Sequence, residues 1–264
     1  MMEMVKLPDG VSLCTQVDGP VDAPWIVLSN SLGASLAMWD GQIDLLTRKY
    51  RVLRYDQRGH GQSDAPVDPY SFELLVGDVI ALMDHYDIDH ADFIGLSMGA
   101  MTGMGLALGH SDRLGRIVLA DSRAVATEGY KAMWDKRITA IQEGGVESIA
   151  DASIVMWLTE GWRNAHPAET AAARAMIVTT NSQGYIASCY ALRGLNYLKD
   201  LGSVTLPVLY ICGADDKGAP PEEMQEMARV TSDARYVEIL DAGHVANINQ
   251  PDDFNAAIAD FLKI

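Results

Sequence analysis

Gly95-Leu96-Ser97-Met98-Gly99 constrains this chain more than any other stretch. An apolar run, Ala91 to Leu96, leads into it, and a helix-forming run, Met101 to Leu108, follows at once. Strand, sharp turn and helix is the context in which Gly-x-Ser-x-Gly holds a serine in a strained, exposed conformation. The flanking glycines answer a steric need, because a Cβ on either would meet backbone packed close by. Ser97 would then present its hydroxyl above the carboxyl ends of the strands. The same residues also suit a plain glycine-rich turn before a helix, so the meaning rests on whether a base and an acid follow.

The surrounding rhythm is that of a parallel sheet. Val5 to Val17 reads as a hairpin turning on Pro8-Asp9-Gly10. Trp25 to Leu28 and Arg51 to Tyr55 read as buried strands, with a helix from about Met38 to Thr47 between them. Ser71 to Tyr86 is an amphipathic helix: Phe72, Leu75, Val76, Val79, Ile80, Leu82, Met83 and Tyr86 recur at three and four, behind Ser71 as N-cap. Arg116 to Ala120 is a further strand. From Ser122 to Asn196 the alternation stops, and the stretch shows only helical patterns with Trp134, Trp157 and Trp162. The rhythm resumes with strand Leu206 to Cys212, helix Glu222 to Val230, strand Arg235 to Leu240 and helix Phe254 to Leu262. Alternating strands and helices predict βαβ units with both sheet faces covered. The expected organisation is a core, 1–121 and 197–264, interrupted by a helical lid, 122–196.

Composition narrows the partners. A formal charge of −16 argues against nucleic acid and anionic membrane surfaces, both of which need clustered Lys and Arg. Cys14, Cys189 and Cys212 are odd in number and far apart, which fits buried thiols better than disulfides or a zinc site. Met1 to Val17 has no apolar signal core, and no run of about 18 apolar residues occurs, so a soluble cytoplasmic protein is expected.

An activated serine needs a base to take its proton and a carboxylate to fix the base's tautomer. Of the six histidines (His60, His85, His90, His110, His166 and His244), His244 is the candidate. It sits in Asp241-Ala242-Gly243-His244, directly after the last predicted strand, where parallel sheets place their ligands. Gly213-Ala214-Asp215-Asp216 follows the penultimate strand, and both aspartates are chemically eligible. The order Ser, Asp, His is that of α/β-hydrolases and of neither major serine-protease class. An oxyanion hole would take the backbone N–H of Met98 and, from the loop after Trp25–Leu28, that of Leu32.

These blocks carry a family resemblance. Ser29-Asn30-Ser31-Leu32-Gly33, Arg58-Gly59-His60-Gly61, Gly95 to Gly99, Trp134-Asp135-Lys136-Arg137-Ile138, Gly213 to Asp216 and Gly243-His244 are similar to segments of the α/β-hydrolase superfamily. Within it the chain looks most like the 3-oxoadipate enol-lactonases. The resemblance implies a mostly parallel eight-stranded sheet flanked by helices, with the lid after the sixth strand. It selects Asp216 over Asp215 and places Trp134 in the substrate pocket. It implies a small lactone or ester as substrate, with no metal and no organic cofactor. That lactone bears a carboxylate, for which Arg137 and Arg123 are the candidate cations. Asp121-Ser122-Arg123 departs from the family's Asn-Thr-type sequence, and Trp157-Leu158-Thr159-Glu160 alters a lid segment. Simple esters, peracid chemistry and carbon–carbon hydrolysis of ring-cleavage products use the same three residues; a non-enzymatic ligand receptor is the remaining alternative. Monomer and homodimer are both open.

Overall fold

The computed structural model describes residues 2–264. Its first hairpin, β1 (Met2–Lys6) and β2 (Ser12–Asp18), turns where Pro-Asp-Gly predicts. Gly10 has φ +92°, and the Asp9 carboxylate accepts the Val11 N–H at 3.0 Å. The remaining strands are β3 (Trp25–Ser29), β4 (Arg51–Tyr55), β5 (Ala91–Leu96), β6 (Leu114–Ala120), β7 (Val208–Gly213) and β8 (Ala234–Ile239). They form one eight-stranded sheet in the order β1-β2-β4-β3-β5-β6-β7-β8. β1 and β2 run antiparallel, and every pairing from β4 to β8 is parallel. Strand β7 is buried along its whole length, as expected of a strand covered on both faces.

In chain order the helices are α1 (Asp40–Leu46), α2 (Phe72–His85) and α3 (Met98–Gly109). Then come α4 (Glu128–Gly144), α5 (Glu147–Trp157), α6 (Glu160–Ala165), α7 (Pro167–Thr179) and α8 (Ser182–Arg193), followed by α9 (Pro221–Val230), α10 (Ala246–Asn249) and α11 (Pro251–Leu262). Ser71 caps α2 by accepting the Leu74 N–H at 3.2 Å. Several boundaries differ from the sequence reading by one to three residues, β6 and β7 each starting two residues from the expected position. The expected helix near Met38 begins as a 3₁₀ turn, Leu36–Trp39, before α1, and the last helix starts at Pro251 rather than Phe254. Proline at the first helical position gives up an N–H that would have had no partner there. The four-residue α10 is too short to leave a periodic signal.

Helices α4 to α8 all lie between β6 and β7, and their two ends meet. Val125 and Asn196 form an antiparallel bridge, and the Ala126 N–H donates to Leu195 O at 2.8 Å. The chain reverses direction across the sheet at β3, which lies between β4 and β5. In such sheets the crevice beyond the carboxyl ends at the reversal is the natural ligand site. Among the described residues no helix is long and apolar enough to cross a membrane.

Candidate active site

Ser97 occupies the turn between β5 and α3 with φ +55° and ψ −115°, a region that costs a non-glycine residue energy. Neighbouring backbone enforces it. The Ser97 N–H donates to Ala120 O at 2.8 Å and the Gly99 N–H to Asn30 O at 2.9 Å. A Cβ on Gly95 would run into the Gly99 carbonyl, and one on Gly99 into the Ser29 carbonyl. The serine therefore stands where the strand ends because the turn has no room to relax.

Two other carboxyl-end loops converge on it. His244, after β8, brings Nε2 to 2.8 Å from Ser97 Oγ. Its Nδ1 lies 2.8 Å from Asp216 Oδ2 and 3.0 Å from Oδ1. The N–H groups of Gly218 and Ala219 donate to Asp216 Oδ1 at 2.7 and 3.0 Å, which fixes the carboxylate's plane. All three side chains are buried. Burial alone would lower the basicity of His244, but the charge and hydrogen bond of Asp216 outweigh it and hold the imidazole above its ordinary value of 6.5. Asp215 makes no hydrogen bond or ion pair with His244; its N–H donates to Ala242 O at 2.9 Å.

The other histidines stand apart. His60 is buried, with Nδ1 3.1 Å from Arg58 O, and desolvation pushes its pKa down to about 4. His85 and His166 face solvent, and neither His90 nor His110 bonds to Ser97.

The N–H groups of Met98, at the start of α3, and of Leu32, after β3, find no protein acceptor among the described residues. The Leu32 loop is braced from behind through Asn30. The Asn30 amide donates to Tyr55 O at 2.8 Å, and its oxygen accepts the Trp39 indole N–H at 2.9 Å. These bracing residues lie up to 25 positions away in sequence, and no local pattern marked them.

A small cavity of about 40 Å³ opens at Ser97. Tyr130, Trp134 and Arg137 of α4, Trp157 of α5 and Tyr185 of α8 line it with Leu32 and His244. Trp134 packs edge-on against Tyr130 at 5.6 Å, and its indole N–H is buried without a partner. The two candidate cations differ. Arg123 pairs with Glu223 at 3.2 Å, donates to Gly218 O at 3.0 Å and lies over the Tyr130 ring. Arg137 donates to the Tyr185 hydroxyl at 3.1 Å and has no carboxylate partner among the described residues. A much larger cleft, about 950 Å³, opens between α6–α7 and α10–α11, but none of Ser97, His244 or Asp216 reaches it. We assign the chemistry to the small cavity, because reactive side chains define a site and volume does not.

Asp121, Cys212 and Asp216 each bring a ligand atom within 4.8 Å of the others. The donor set suits no metal. Both Asp121 oxygens accept backbone N–H groups, Asp216 is committed to His244, and burial holds the Cys212 thiol protonated far above its usual range.

Fold and site together define a class: the chain belongs to the α/β-hydrolase fold family, whose profile matches residues 24–251. Two relatives from Acinetobacter baylyi are named 3-oxoadipate enol-lactonase 2 and 3-oxoadipate enol-lactonase 1. The first is 35% identical over 93% of this chain and 91% of its own length, the second 32% identical over 98% and 96%. The crystal structure of the enol-lactonase from Burkholderia xenovorans is 39% identical and superposes with a TM-score of 0.96, covering 99% of this chain and 100% of that one.

Proposed function

We propose that the protein is a serine carboxylic ester hydrolase that opens a carboxylate-bearing lactone of the 3-oxoadipate enol-lactone kind. The observation that carries this reading is the unbroken hydrogen-bonded series Ser97–His244–Asp216 at a cavity whose one free cation among the described residues is Arg137. The names of the full-length relatives support the lactone.

His244 Nε2 takes the Ser97 proton as Oγ attacks the lactone carbonyl, and Asp216 steadies the imidazolium through Nδ1–H. Charge develops on the former carbonyl oxygen, for which the unpartnered N–H groups of Leu32 and Met98 are the donors. Removing one such donor costs about 3 kcal/mol of transition-state stabilisation. Collapse breaks the ring C–O bond, and His244 returns its proton to the enol oxygen, which tautomerises to the ketone. The leaving group stays tethered within the acyl chain. Water activated by His244 then hydrolyses the acyl-enzyme. Arg137 and the free Trp134 N–H are the polar groups that would hold the substrate carboxylate. Arg123, paired with Glu223, instead anchors the loop of Asp216.

Residues 122–196 act as a lid over the core formed by 1–121 and 197–264. Their ends are pinned together, and α4, α5 and α8 supply most of the cavity wall. A cavity of about 40 Å³ is far below the several hundred typical of ligand pockets, so side chains that line it must move to admit a substrate. A panel comparing an enol-lactone, a p-nitrophenyl ester, a vinylogous diketone and peracid formation decides the subclass. The enol-lactone should have the highest kcat/KM. A dominant diketone activity would replace this reading with carbon–carbon bond hydrolysis.

A further inference from the structure

Asp121 follows β6 with φ +46°, is fully buried, and takes no part in the mechanism above. Its two oxygens reach two different loops. Oδ1 accepts the Gly213 N–H at 2.8 Å, where the loop carrying Asp216 begins. Oδ2 accepts the Ala246 N–H at 2.9 Å, two residues past His244. Its own N–H donates to Ile211 O at 2.9 Å, so the residue is anchored to β7. A non-glycine residue held at positive φ persists only where its surroundings over-determine it, and here three backbone contacts do so.

We propose that Asp121 is a positioning residue that straps the acid loop to the base loop and so sets the separation of Asp216 and His244. The inference rests on the reading of those two residues as acid and base. Asn249 braces the same base loop from the other side, its oxygen accepting the Gly243 N–H at 2.8 Å and the Thr159 N–H at 3.0 Å. The base loop is thus held by one titratable brace and one neutral brace.

The titratable and charged groups facing Asp121 are Asp216 and Cys212 from β7 and its loop and His244 from the loop after β8, with Arg123 acting on His244 from its own strand end. Burial, reinforced by the Asp216 charge, pushes the Asp121 carboxyl well above the usual carboxylate range.

Asp121→Asn keeps the shape but turns one acceptor into an NH₂ that faces a backbone donor. In this variant kcat on a p-nitrophenyl ester should fall at least about 10-fold while KM changes by less than about 2-fold. As the Asp216 contact loosens, the acid limb of kcat/KM should move to lower pH, and the downfield proton resonance of His244 Nδ1–H should move in the NMR spectrum. Asn249→Ala, which loosens the loop mechanically, should lower kcat with the limb unmoved. Ala246→Pro removes one donor of the strap at a position where helices accept proline. It should show the Asp121→Asn signature in weaker form, and it carries the test if the aspartate variant does not fold. An unshifted acid limb together with an unmoved resonance would overturn the proposal, whatever activity was lost. Turnover retained in Ser97→Ala would refute the serine as nucleophile, yet the resonance would still decide the role of Asp121.

Discussion

Replacing Arg137 with methionine separates recognition of the substrate's charge from the chemistry at Ser97. Methionine keeps an unbranched apolar stem against Trp134, whose ring centroid lies 5.5 Å from the guanidinium, and removes only the charge and the 3.1 Å bond to Tyr185. A hydrogen bond to a charged group contributes about 1.5–3 kcal/mol, which is about 10- to 150-fold in kcat/KM for a carboxylate-bearing lactone. Arg137 has no carboxylate of its own to release, so little of that contribution is lost to a competing ion pair. A neutral p-nitrophenyl ester lacks the recognised group and should keep its kcat/KM within about 2-fold. The assay is the pair of kcat/KM values on wild type and variant under the same conditions. Equal losses on both substrates would mean that Arg137 supports the fold of α4, and no loss on either would place the carboxylate elsewhere.

Three further outcomes follow from charges buried in the protein. In the proposed mechanism His244 must be neutral to accept the serine proton, and its pKa is raised, so the acid limb of kcat/KM should have its midpoint above 6.5; a midpoint below 6.5 would contradict the Asp216 contact. His60 is held neutral with a pKa of about 4, while the unfolded chain binds that proton near 6.5. Stability should therefore fall as pH drops from 6.5 towards 4, by about 3 kcal/mol at full extent, and urea unfolding of His60→Asn should show a flatter slope in that window. Arg58 and Asp78 form a buried, doubly hydrogen-bonded ion pair. Asp78→Ala strands the guanidinium with only the half-exposed Asp9 and should cost about 3 kcal/mol, read as a drop of roughly 6–12 °C in Tm.

How much of this was legible in the sequence depends on how far apart the interacting residues lie. Ser97 announces itself because its turn needs two glycines at fixed offsets, and His244 and the pair Asp215-Asp216 because each follows a recognisable strand; only the family resemblance chose Asp216 from that pair. The strands themselves are short apolar runs bounded by turn residues, and β4 lies where the pattern placed it. The braces of the site left no such mark. Asp121 meets Gly213 and Ala246 across 92 and 125 positions, and Asn249 holds Gly243 through a loop with no periodicity. In the insertion, helical spacing revealed helices but not which faces turn towards Ser97. Trp134 and Trp157 line the cavity, whereas Trp162 stacks on His166 beside the larger cleft. Arg123 and Arg137 are equivalent as letters; Glu223 beside Arg123 and the cavity beside Arg137 tell them apart.

The central claim, an acyl-enzyme on Ser97 formed from a lactone, is tested most directly by intact-protein and peptide mass spectrometry after rapid acid quench with an enol-lactone. Ring opening keeps every atom of the substrate on the enzyme. The account therefore predicts a transient adduct of the full lactone mass on the peptide containing Ser97, and none in Ser97→Ala. Efficient turnover of the lactone by the Ser97→Ala variant, or an adduct on any other residue, would contradict it.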